Sequence, residues 1–122
     1  MKNIWFITLF MLCIACNAQE NKDIHIIDIQ TLKTSVIGKD VQLVDVRSAR
    51  EYNLGHIDDA ININIADKET FKKEIQKLDK TKPIYIYCHA GVRSHRASKL
   101  MADLGFTSIY DFKGGWSEWK GQ

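Results

Sequence analysis

Ile84-Tyr85-Ile86-Tyr87-Cys88-His89-Ala90-Gly91-Val92-Arg93-Ser94 changes character half-way along. Its first four residues are β-branched or aromatic and follow the break at Pro83, so they read as a buried strand. From Ser94 to Asp103 the apolar residues fall at helical spacing, with Ala97, Leu100, Met101 and Leu104 on one face and Gly105 as the stop. A strand that passes through a short glycine-containing loop into a helix is the repeating unit of a parallel sheet, whose consecutive strands need a crossover between them.

The same alternation extends in both directions. Upstream, Val41 to Val46 is a second β-branched run, and Ser48 to Asn53 predicts a short helix ending at Gly55. Ile61-Asn62-Ile63-Asn64-Ile65 alternates strictly and predicts a half-buried strand. Asp67 is placed to cap a helix whose Phe71, Ile75 and Leu78 share a face. Nearer the start, Ile24 to Ile27 predicts an edge strand, and Asp28 caps a helix to about Val36 before Gly38. Downstream, Ser108 to Phe112 predicts a strand and Trp116 to Lys120 a last short helix. The expectation is an α/β fold of three layers, with a mostly parallel five-stranded sheet between helices.

The chain has 122 residues, 45% of them hydrophobic, which suits one domain with a core of its own. Its formal net charge of +2 and its mixed charges give no basic stripe, so nucleic acid is not expected as a partner. Before the domain, Lys2 and the apolar run Ile4 to Ala15, broken only by Thr8, are shorter than the roughly 20 residues of a membrane span. They fit the core of an export signal instead. Cys13-Ile14-Ala15-Cys16 resembles a bacterial lipobox, although Cys13 stands where leucine is usual. Cleavage after Ala18 is the rival. The expected division is a signal peptide at 1–16, a polar tether at 17–23 and a domain at 24–122. Cys16 would be lipidated, and the protein exported to the periplasm or cell envelope on a membrane tether.

Processing of that kind leaves Cys88 as the only thiol of the mature chain. A cysteine without a partner is a candidate reactive thiol, against the plainer reading of a buried structural residue. Its position favours chemistry. It stands beyond the carboxyl end of a strand and before a helix N-terminus, where unpaired N–H groups and the helix dipole favour thiolate. Gly91 allows the loop to curl so that successive N–H groups converge on one anion-sized space, and Arg93 is placed to add a charged donor.

These residues resemble the rhodanese family over nearly the whole mature sequence. The resemblance rests on Leu43, Asp45, Arg47, Glu51, Gly55, His56 and Ile57, then on the loop Cys88-His89-Ala90-Gly91-Val92-Arg93-Ser94, then on Gly114-Gly115-Trp116 with Trp119. It implies sulfur transfer from thiosulfate or a related anion through a Cys88 persulfide to cyanide, a thiol or a protein acceptor, without metal or organic cofactor. Residues 89–94 would bind substrate. Asp45, Arg47, Glu51, Gly55, His56, Gly114 and Gly115 would hold the fold.

Arg47 and Glu51 have the spacing of a helix ion pair, His56 is expected to anchor a turn, and His89 is the better candidate for tuning the site with pH. His95 and Arg96 would broaden a positive rim, and Trp116 and Trp119 would join the core. Asp58-Asp59-Ala60 departs from the family's Pro-Gly-Ala. The two acids would repel an anionic donor if they lay near the mouth. A cysteine phosphatase, whose loop is one residue longer, a thiol–disulfide oxidoreductase, and a non-catalytic binding or persulfide-carrier module serving a protein partner are the rivals. A monomer is expected.

Overall fold

The computed structural model describes residues 21–122, so the lipobox-like segment and Cys16 lie outside the described residues. Ten elements follow in order: β1 (Ile24–Ile27), α1 (Ile29–Ser35), β2 (Gln42–Asp45), α2 (Ala49–Leu54), β3 (Ile61–Asn62), α3 (Lys68–Ile75), β4 (Ile84–Tyr87), α4 (Val92–Asp103), β5 (Ile109–Phe112) and α5 (Gly115–Trp119). The strands pair in the order β1-β5-β4-β2-β3, and every pair is parallel. The expected three-layer α/β architecture is therefore the observed one.

Strand alternation sorts the core into two layers. Val44, Ile84, Ile86 and Ile109 face α3 and α4, where Phe71, Ile75, Ala97 and Met101 are fully buried against them. Leu43, Tyr85, Tyr87 and Phe112 face the other way, against Leu32 and Val36 of the α1 region and Ile57 after α2. Each such isoleucine or phenylalanine contributes ~1.5–3 kcal/mol by leaving water. Cys88 continues the β4 alternation after Ile84 and Ile86, so its side chain points to the α4 layer.

The helices start where short polar side chains can satisfy first-turn N–H groups. Asp28 accepts from Thr31 N, and Asp67 accepts from Thr70 N. Ser48 and Glu51 form a reciprocal capping box on α2. Two boundaries differ from expectation. β3 ends at Asn62, although Ile63 N and Ile65 N still donate to Asp45 O and Val46 O and both side chains stay inward. Ile61, 45% exposed, does not share their burial, so the expected apolar face is kept by Ile63 and Ile65 alone. α4 begins at Val92, two residues before the expected Ser94, because Gly91 in the left-handed region closes the turn as N-cap.

Asp58 stands in the departure from the family pattern and adopts φ 48°, a conformation that aspartate tolerates. Its carboxylate accepts from Gly38 N at 2.9 Å. Gly38 lies in the segment that enters β2, at the opposite end of the strands from Cys88, so this acid does not crowd the thiol.

Among the described residues one ion pair is fully inside. Arg47 is 2% exposed and Asp45 0%, with Nη2 2.7 Å from Oδ2 and Nε 3.0 Å from both carboxylate oxygens. Nη2 also donates to Gly55 O at 2.6 Å, and the guanidinium lies over the rings of Tyr87 and Trp116. Arg47 thus pairs with Asp45 rather than with Glu51, correcting the helix-pair reading of its spacing. It precedes α2 instead of lying within it. Removing one partner leaves a buried charge alone. Arg47→Ala is expected to lower unfolding free energy by about 3–5 kcal/mol, read as a fall in the urea midpoint.

Candidate active site

A loop that aims its N–H groups inward must turn its carbonyls outward, and those carbonyls need donors of their own. Here α5 supplies them. Trp116 N donates to Cys88 O at 2.8 Å and Ser117 N to His89 O at 3.0 Å. The approach requires Gly115, at φ +62°, because a Cβ there would lie 2.5 Å from Cys88 O and 2.6 Å from His89 O. Gly114 precedes it as the N-cap of α5. Gly91 turns the loop at φ +95°, and a Cβ on it would meet Lys113 O at 2.8 Å. The Gly-Gly signature and the loop glycine are two sides of one close backbone contact.

Inside that curl lies the sulfur. Cys88 is 1% exposed, and Gly91 N donates to Sγ at 3.1 Å. The N–H groups of Ser94 and Ala90 also face it, and Ser94 Oγ lies 3.5 Å away. Burial alone would push the thiol up. The Ser94 hydroxyl and the three amides outweigh it and hold Cys88 below the ordinary thiol value. As a thiol, Cys88 donates to Ser94 Oγ, which donates in turn to Gly91 O at 3.3 Å. On ionisation the serine hydroxyl can rotate to donate to sulfur, because Gly91 O keeps a donor in His95 N.

Arg93 is engaged by α2. Its Nη1 and Nη2 donate to Glu51 Oε1 and Oε2 at 2.7 and 2.9 Å, a forked pair between the loop and α2. Two of the five guanidinium N–H groups of Arg93, expected at the rim as a charged donor, are thus engaged by Glu51. The pair latches the loop to α2. Glu51 serves the α2 cap and this latch together, and the Arg93 guanidinium beside it holds its carboxyl down at about 2.

The other residues divide between scaffold and rim. His56 Nδ1 lies 3.1 Å from Tyr52 O and its ring stacks on Tyr52, as suits a turn anchor. Gly55 lies against the indole of Trp116, where a Cβ would be 2.6 Å from Cζ2. Trp116 and Trp119 pack at the edge of the core. His89, Ala90 and Val92 are exposed at the loop tip. Asp111, which the sequence reading passed over, is 1% exposed on the α4 side of β5, near Ser94. A carboxylate two residues after the inward Ile109 was the signal that could have found it.

The sequence profile of the rhodanese-like domain matches residues 28–122. The chain belongs to that family. Thiosulfate sulfurtransferase GlpE of Shewanella oneidensis is 36% identical over 81 residues, covering 66% of this chain and 77% of the relative. A tRNA uridine(34) hydroxylase of Pelagibacter ubique is 35% identical over 98 residues, 80% of this chain but 33% of its own length. This chain therefore spans about a third of the hydroxylase. Among solved structures, a rhodanese-like domain protein of Staphylococcus aureus superposes with a TM-score of 0.67 at 29% identity, over 77% of this chain and 89% of that one.

Two measurements follow from the electrostatics of this rhodanese-like site. The rate of Cys88 alkylation by iodoacetamide is expected to titrate below an ordinary thiol, and Ser94→Ala is expected to move that midpoint upward. The depressed Glu51 carboxyl stabilises the fold above its usual range, near 4.5, and loses that contribution as pH falls towards about 2. Glu51→Gln is accordingly expected to lower the melting temperature at neutral pH and to flatten its fall between those pH values.

Proposed function

We propose that this rhodanese-like protein is a sulfurtransferase that carries a sulfane sulfur on Cys88. The observation that carries the reading is the buried Sγ surrounded by converging amide donors, which favour its anion despite burial. The thiolate attacks the outer sulfur of thiosulfate or a related donor. A new S–S bond forms at Cys88, the donor's own S–S bond breaks, and its electron pair leaves with sulfite. The persulfide so formed places its terminal sulfur, the new seat of negative charge, within the same cradle. A thiolate, cyanide or protein cysteine then takes that sulfur, and the electron pair returns to Cys88.

Residues 89–94 serve as the cradle through their backbone and Ser94 Oγ, with the Arg93–Glu51 fork holding the loop in shape. The relative named thiosulfate sulfurtransferase supports the donor class. The lipobox-like Cys13 to Cys16 supports an exported protein tethered through Cys16, which would place the transfer at the cell envelope.

Thiosulfate:cyanide sulfur transfer by the protein and by Cys88→Ser tests the reading. Turnover is expected in the first and none in the second, with a gain of one sulfur atom by intact mass only where Cys88 is present. Absence of both turnover and persulfide in the unaltered protein would overturn it and leave a binding module as the better account.

A further inference from the structure

Charges that are mixed along the sequence are sorted in space by α4. Its outer face presents Val92, His95, Arg96 and Lys99, spaced i, i+3, i+4 and i+7, while Ser94, Ala97, Ser98 and Met101 are buried. Two open hollows flank that face and share Arg96. One, of about 560 Å³, lies towards β1, with Lys113 and the apolar Ile26 and Val92, 55% and 71% exposed, among its lining. The other, of about 300 Å³, lies towards α3 and is lined by Ile65 and Leu100 together with Lys68 and Lys99.

Lys68, Arg96, Lys99 and Lys113 thus border one surface, and none has an acidic partner among the described residues. Elsewhere Arg47, Arg93, Lys72 and Lys77 each pair with a carboxylate. The acids that border the surface are Asp103, in the last turn of α4, and Asp111, which is buried. Unpaired cations held side by side set up a positive field that negative charge relieves. Exposed apolar side chains between them favour a partner that brings apolar groups as well. Hollows accept side chains that protrude from a folded or extended chain, which the plane of a bilayer lacks.

We propose that this face of α4 docks an acidic protein segment, its carboxylates on the four cations and its apolar side chains in the two hollows. The inference rests on the sulfur-transfer reading above and makes the docked segment the carrier of the acceptor thiol. From Val92 to Lys99 the helix rises ~10 Å, which about three residues of an extended segment span. The face begins at Val92, beside the exposed loop residues His89 and Ala90. The partner's cysteine therefore meets the loop over this tip and not through the hollow behind Gly91. Its thiolate attacks the terminal sulfur of the Cys88 persulfide. A new S–S bond forms on the partner, the Cys88–sulfur bond breaks, and Cys88 keeps the electron pair.

The test uses the full-length protein, loaded with sulfur from thiosulfate, and three peptides as acceptors. Each has a central cysteine with Leu-X-X on both sides, X being Glu, Gln or Lys. Corrected for thiolate fraction, the Glu peptide is expected to gain sulfur about tenfold faster than the Gln peptide, and the Lys peptide slowest. The differences are expected to vanish at about 0.5 M salt. Lys68→Gln, Arg96→Gln and Lys99→Gln together are expected to bring the three rates within about twofold, leaving the rate with the neutral 2-mercaptoethanol unchanged. All three substitutions are on exposed side chains or at the surface hollow, so folding is not at stake. Equal rates, or an order that survives the triple substitution, would overturn the assignment. So would a dimer, or binding to phosphatidylglycerol vesicles, that the triple variant loses while the peptides show no preference. If the protein transfers no sulfur at all, titration with the S-methylated Glu peptide still decides. Saturable binding that salt and the triple substitution weaken supports the docking face alone, and no binding overturns it.

Discussion

The carbonyls of Cys88 and His89 constrain everything around the sulfur. They must be satisfied on the outside of the loop if the amides are to converge on the inside, and the first N–H groups of α5 do this. That contact demands a backbone approach closer than any side chain allows, which is why Gly115 and Gly91 sit back to back with the loop and with Lys113. A helix of only five residues at the end of the chain thus determines the shape of a cradle that begins nearly thirty residues earlier.

Charge is arranged around that cradle without entering it. Arg47 is neutralised by Asp45 below the loop and braces Gly55 and Trp116 from within the core. Arg93 is neutralised by Glu51 at the side. Each guanidinium has a carboxylate in fork geometry, so both act as rigid struts rather than mobile cations. The sulfur is left to neutral dipoles, namely amides and one hydroxyl. Such donors favour an anion at Sγ without placing a full positive charge beside it.

The two sides of the loop are chemically unequal. Towards α2 and α5 the surroundings are fully paired and packed. Towards β1 lie a sheet edge, the exposed side chains of Ile26 and Val92, and Arg96 and Lys113, which have no acidic partner among the described residues. The paired side keeps the loop in one shape.

Strand and helix periodicity were legible because alternation of apolar residues follows directly from side-chain direction, and it located all five strands and the glycine stops. Cys88 at a strand end and the three groups of motif residues were likewise visible from local order along the chain. The ion pairs were not. Glu51 lies four residues from Arg47, yet it bonds Arg93, 42 positions away, because Arg47 precedes the helix and turns into the core. Nor could spacing along one strand show that Asp111, Ile26 and Arg96 meet beside the loop. Sequence by itself determined the elements, their order and the place of Cys88 at a strand end, since those depend on short-range geometry. The partners of each charge were decided only when crossover helices brought distant strands into one sheet.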